Sequence, residues 1–210
     1  MTLRVRRKPY PRYSQYQRYK GRLRQDFDYR CVYCDIHEAE WGGCRHFQVE
    51  HFRPKRLYPW LQAEYTNLLY ACDVCNCYKG DDWPSSDPTP HIRGYLDPCQ
   101  YDYEQYFTVQ EDGTLEGKVL AARYMIEALH LNRKQLKQLR VRRRREQEIH
   151  DQFMRLFDEV EAKVAALDNA SSAQTRVLRK LILQLVSIYR QHLKDLWASR
   201  WKPPYELTEV

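Results

Sequence analysis

Two Cys-x-x-Cys pairs, Cys31–Cys34 and Cys72–Cys75, constrain this chain more than any other feature. A Cys-x-x-Cys turn directs two sulfurs at one point. Two such turns supply the four soft ligands that a tetrahedral zinc ion takes. The chain has 7 cysteines, an odd count, and its basic start MTLRVRRKPYPRY leads into no apolar run. No secretory signal is therefore expected, which argues against a disulfide framework and for reduced thiols in a cytoplasmic protein. A redox pair is the competing use of Cys-x-x-Cys, but no βαβ pattern surrounds either pair. The expectation is one closed structural zinc site on Cys31, Cys34, Cys72 and Cys75. Cys44, Cys77 and Cys99 are spare and read as small buried hydrophobes, with Cys44 or Cys77 able to replace one of the four.

Residues 35–71 separate the pairs, more chain than a simple zinc ribbon carries, so something is inserted between the knuckles. Three regions are expected: 1–26, a basic arm broken by Pro9 and Pro11 and then a helix over 14–26 with Ser14 as its N-cap; 27–100, the core with the cysteine pairs; and 101–210, mainly helical. In the core, HFQVEHFRP has apolar residues at alternate positions and suits a strand ending at a site. YTNLLYACDVCNCYKGD reads as a turn passing into a helix that starts near Cys72 or Asp73. Residues 81–94 are a loop rich in Pro, Ser and Asp. YFTVQ-EDG-TLEGK suits a hairpin. Helical spacing runs from Val119 to about Val164, with Asn132 interrupting it and capping a second helix. DNASS at 168–172 is a turn. A last helix with Val177, Leu178, Leu181, Leu185, Ile188 and Leu196 completes an antiparallel helical hairpin.

The net charge of +7 and pI of about 9.0 favour an anionic partner, nucleic acid being the commonest. No run approaches the roughly 18 apolar residues that a membrane span needs, so no membrane partner is expected.

The residues between the zinc pairs are the most specific. VEHFRPK (49–55) is followed by YTNLL (65–69) and CDVCNCYKG (72–80). This ordered set, interleaved with both knuckles over residues 31–80, resembles the HNH endonuclease family of the ββα-metal, zinc-knuckle type. The resemblance implies an α+β fold: a small ββα-metal HNH core with a four-cysteine zinc site, then a short hairpin and a C-terminal α-helical region. It implies His51 as the general base that deprotonates the attacking water. Glu50 and Asn76 would hold a catalytic divalent ion, Asn67 would steady the histidine and its loop, and Lys79, the basic residue after the second knuckle, would bind substrate. Many members carry Asp or His where this chain has Glu50, and the longer side chain alters the geometry at that position.

The chemistry suits these residue types. Hydrolysis of a phosphodiester needs a base with a pKa near neutrality, and imidazole has one. A hard cation such as Mg²⁺ or Mn²⁺ on oxygen ligands would neutralise the charge that develops. Arg53, Lys55 and Arg56 follow the base and suit flanking phosphates, or form a solvated basic turn. His37, His46 and His91 have no matching role, although His46 is close enough in sequence to line the site. The run RVRRRR (140–145) tracks a nucleic-acid backbone or is a helix face with i,i+4 pairs.

YLDPCQYDYEQYFTVQEDGTLEG and MIEALHLNRKQLKQLR resemble a bacterial branch of the family that stands beside an ATPase in phage-defence operons, of the Septu type and in some retron systems. That resemblance implies DNA as substrate, an ATPase subunit as partner and anti-phage defence as the setting. The apolar stripes of the last helices then pack on one another, on the core or on that partner. Two alternatives stay open: a catalytically silent, zinc-stabilised nucleic-acid-binding module, and an RNA-cutting toxin of the same fold.

Overall fold

The computed structural model describes residues 8–10, 12–166 and 173–199. Most of the expected basic arm and the expected turn at 168–172 lie outside these residues. The chain divides into two compact units, one up to Val141 and one from Arg142. It is mixed helix and strand, with two small antiparallel sheets and a helical C-terminal region, as expected.

In the first unit, helix α1 (Lys20–Asp26) is preceded by a 3-10 turn over Tyr16–Tyr19. The helix thus begins later than the sequence suggested, and no side chain caps the turn. Tyr19 explains this. Its hydroxyl accepts from the Tyr13 N–H at 2.8 Å and also faces the Tyr13 and Ala63 carbonyls at 3.1 Å. The chain before Gln15 is thereby tied into a turn around that hydroxyl. Leu23 and Phe27 then bury the inner face of α1.

Strands β1 (Phe47–His51) and β2 (Leu68–Cys72) pair antiparallel, with Phe47 opposite Cys72 and His51 opposite Leu68. All five β2 residues are buried, which accounts for the unbroken apolar run LLYA. Helix α2 (Asp73–Lys79) follows directly and packs on both strands. Its start is set by Cys72, whose sulfur accepts from the Cys75 N–H at 3.5 Å, so one residue ends the strand and caps the helix.

A short helix α3 (Tyr103–Tyr106) leads into the hairpin of β3 (Phe107–Val109) and β4 (Leu115–Gly117), close to the expected one. Its turn needs Gly113, which has φ +82° and lies against the Lys137 main chain, leaving no room for a Cβ. Helices α4 (Leu120–Ala128) and α5 (Lys134–Ala166) are separated where Asn132 suggested. Asn132 does not cap α5, however. Its amide bridges to β4, accepting from the Leu115 N–H at 2.7 Å and donating to the Leu115 carbonyl at 2.9 Å. One core of buried residues runs from Tyr19 to Leu139, across position 100.

The second unit holds the rest of α5 and α6 (Ala173–Ser199). They are linked by Arg190, which pairs with Asp158 at 2.7 Å and Glu161 at 3.0 Å. Among its described residues only Val164 and Val186 are fully buried apolar side chains. Ile149, Phe153, Leu156, Leu181, Leu185 and Ile188 are each about half exposed or more. No helix among the described residues is long and apolar enough to cross a membrane.

Candidate functional site

The four cysteines of the two pairs meet. The sulfurs of Cys31, Cys34, Cys72 and Cys75 all lie within 4.8 Å of one another, and every one of these residues is buried. Cys34 and Cys72 are 3.8 Å apart, sulfur to sulfur. Zinc–sulfur bonds of about 2.3 Å in a tetrahedron place sulfurs about 3.8 Å apart, so the group fits a Zn²⁺ ion. Four thiolates around one Zn²⁺ leave excess negative charge. Arg133 offsets part of it, with Nη2 3.5 Å from the Cys75 sulfur. Cys44 and Cys99 are half-buried, Cys77 is exposed, and none belongs to the cluster.

His51 ends β1 and is 8% exposed. Its Nε2–H donates to the Gln62 carbonyl at 3.0 Å. The tautomer that makes this bond leaves Nδ1 with its lone pair, the state a base needs. Burial lowers the imidazole pKa below the usual histidine value. The Gln62 carbonyl opposes that shift, and the charges of Lys55 and Lys79 reinforce it. The Tyr16 ring meets the imidazole edge-on, with centroids 4.7 Å apart.

Asn67 secures the loop after the histidine. Its Oδ1 accepts from the Arg53 N–H at 2.9 Å and its Nδ2 donates to the Arg53 carbonyl at 3.0 Å. Its own carbonyl accepts from the Phe52 N–H at 2.9 Å. The two residues after His51 are therefore fixed to the start of β2.

Glu50 and Asn76 are each already engaged. Glu50 is buried, with Oε1 2.8 Å from Lys79 Nζ and 3.3 Å from the Tyr33 hydroxyl. Desolvation raises its pKa, and Lys79 works against that rise. The Asn76 amide donates to Gln48 Oε1. Lys79, expected to bind substrate, instead has a fully enclosed side chain. Its ammonium also donates to the His51 carbonyl at 3.0 Å and faces the Tyr95 ring at 5.3 Å. As arranged, Glu50 holds an ammonium where the resemblance expects a divalent ion, and the pair does not form an open cation site.

The basic residues after the histidine reach outward. Lys55 donates to the Tyr16 hydroxyl at 3.2 Å, Arg53 lies over the Tyr58 ring at 5.7 Å, and Arg56 pairs with Asp81 at 2.8 Å. His37 is buried and accepts from the Ala39 N–H at 3.1 Å. His46 holds Asp73, 3.0 Å away, at the start of α2. His91 is exposed. Arg140 donates to the Gly113 and Leu131 carbonyls at 2.9 and 2.6 Å, and Arg142 lies 3.8 Å from Glu146 one helical turn on.

Sequence reasoning missed Gln62, Tyr16, Tyr33 and Arg133. Gln62 acts through its main chain, which leaves no side-chain signal. Tyr33, between the first two cysteines, was open to discovery as an aromatic donor inside the knuckle.

No protein-family model matches the chain. It is 33% identical over 103 residues to the Septu protein PtuB of Bacillus thuringiensis, an alignment covering 49% of this chain and 37% of that protein. The match thus spans little more than a third of the curated relative's length.

Proposed function

We propose that this chain is an HNH-type endonuclease hydrolysing DNA phosphodiester bonds, as the effector nuclease of a bacterial anti-phage system. His51 carries the reading. It is a buried imidazole kept neutral by desolvation, with Nε2–H committed to the Gln62 carbonyl and Nδ1 left for a water proton. Water attacks phosphorus in line as Nδ1 takes its proton, the P–O bond opposite breaks, and the leaving sugar oxygen takes a proton from solvent. Arg53 and Lys55 bind the flanking phosphates. Asn67 fixes the loop that carries them. Lys79 positions His51 through its carbonyl and supplies positive charge behind the site. The resemblance adds a Mg²⁺ or Mn²⁺ ion on Glu50 and Asn76. The Glu50–Lys79 pair does not fit that ion as it stands, and no step is assigned to it. The setting in phage defence rests on the likeness to a Septu protein over half the chain. The exposed apolar stripe of α5 and α6 is the surface offered to a partner subunit, an ATPase in the resemblance.

One observation favours a second reading, a zinc-stabilised nucleic-acid-binding module without catalysis: Lys79 neutralises the carboxylate beside the base. Supercoiled plasmid separates the two. Wild type nicks it and His51→Ala does not, with magnesium, with manganese, or with no divalent ion added. Stimulation by either ion assigns the cation role to that ion, and its absence assigns the role to Lys79. Equal cutting by His51→Ala removes the base assignment. Salt-dependent binding without cutting by wild type selects the binding module. An RNA substrate offered in parallel tests the toxin.

A further inference from the structure

A cleft of about 610 Å³ opens beside the His51 loop. Its walls include Tyr10, Phe52 and Tyr101, together with Arg53, Asp87 and Asp97. The turn after β1, the Pro-rich loop and the turn that follows Leu96 contribute most of it, with Tyr10, Leu61 and the Thr66–Asn67 turn completing the walls.

Asp97 is the informative residue. It is 6% exposed, and its Oδ1 accepts from the Cys99 N–H at 2.9 Å. Its Oδ2 has no protein partner among the described residues, yet the side chain lines the cleft. That oxygen is reached from the cleft and can accept a hydrogen bond from a ligand that enters it. The volume is that of a small-molecule site. Two carboxylates repel phosphate from its floor, while Arg53 at its edge attracts phosphate. Aromatic walls offer stacking, which bases accept irrespective of sequence.

The geometry points to a pocket for one unpaired nucleobase of a bound strand, selective for a base with an exocyclic amino group. Adenine, cytosine and guanine present N–H donors to Asp97 Oδ2. Thymine presents a single N–H between two carbonyl oxygens, which the carboxylate repels. This rests on the nucleic-acid part of the reading above and not on cleavage.

The test is fluorescence anisotropy with labelled oligo(dC) and oligo(dT) of equal length, on the full chain carrying His51→Ala, with no divalent ion added. Oligo(dC) binds about tenfold more tightly than oligo(dT). Asp97→Asn inverts that order. Its amide oxygen must remain on the Cys99 N–H, because an amide nitrogen cannot accept, so the NH₂ group turns to the cleft and donates to a thymine carbonyl. Equal affinity for the two oligomers, failure to bind either, or an unchanged preference in Asp97→Asn each overturns the proposal. Should Asp97→Asn not fold by circular dichroism, Tyr101→Ala serves instead. It weakens binding of both oligomers, and unchanged affinities overturn the proposal. A chain that prefers oligo(dC) but never nicks plasmid keeps the pocket and loses the nuclease.

Discussion

His51 is useful as a base only while its imidazole is neutral, and its surroundings decide at what pH that holds. Burial lowers its pKa from 6.5. The proposed cleavage should be lost only as pH falls through that lowered value, which puts the acidic limb of the pH–rate profile below pH 6.5. A limb above it contradicts the assignment. Stability follows the same sign: below about 6.5 the unfolded chain takes up a proton that the folded imidazole resists, and acid favours unfolding. The neighbouring Glu50–Lys79 pair is coupled through its burial. Lys79→Met leaves Glu50 buried without its ammonium and costs about 3–5 kcal/mol, read from urea unfolding. Glu50→Gln combined with Lys79→Met recovers part of that loss, because the uncompensated charge has gone. A double variant as unstable as the sum of the singles denies the coupling.

At the scale of elements, the unit that matters is the succession β1, β2 and α2, joined through one sulfur-bearing residue. Phe47 begins β1 opposite Cys72, and Cys72 both ends β2 and caps α2. Cys72→Ser should reduce bound zinc, measured by metal analysis, and lower the melting temperature. Full zinc content with unchanged melting rejects the four-sulfur site. Much of this element pattern was legible beforehand. The cysteine pairs marked both knuckles and the alternation in FQVEH marked a strand, whereas LLYA, read as part of a turn leading into a helix, is a fully buried strand, because an unbroken apolar run carries no period that tells a strand from its surroundings. The start of α1 was not legible, because Ser14 is a good cap locally and the Tyr19 hydroxyl, held between Tyr13 and the distant Ala63 carbonyl, overrides it. The role of Asn132 was hidden for the same reason. Around the candidate site, the sequence pointed to the neighbourhood of His51, Asn67 and Asn76, but not to the enclosure of Lys79. Lysine at a helix end is ordinarily solvated, and only the packing of Tyr95 and the Glu50 carboxylate reveals otherwise.

For the molecule as a whole, the contrast lies between a unit with one continuous core and a helical unit with almost none among its described residues. The first buries some thirty apolar side chains. The second leaves large apolar residues on both of its helices in water. Surfaces of that kind mark association. Leu181→Lys combined with Leu185→Lys should leave the proposed plasmid nicking by the isolated chain unchanged and abolish co-purification with the proposed ATPase partner. Retained co-purification moves the docking surface elsewhere. Arg133, against the Cys75 sulfur, bears on the chemistry of the cluster as well as its charge. A thiolate that accepts a hydrogen bond from a guanidinium gives up electron density and becomes a poorer nucleophile toward peroxide. A zinc ion held by the four cysteines would thereby be guarded against oxidative release by a residue 58 positions away in the chain.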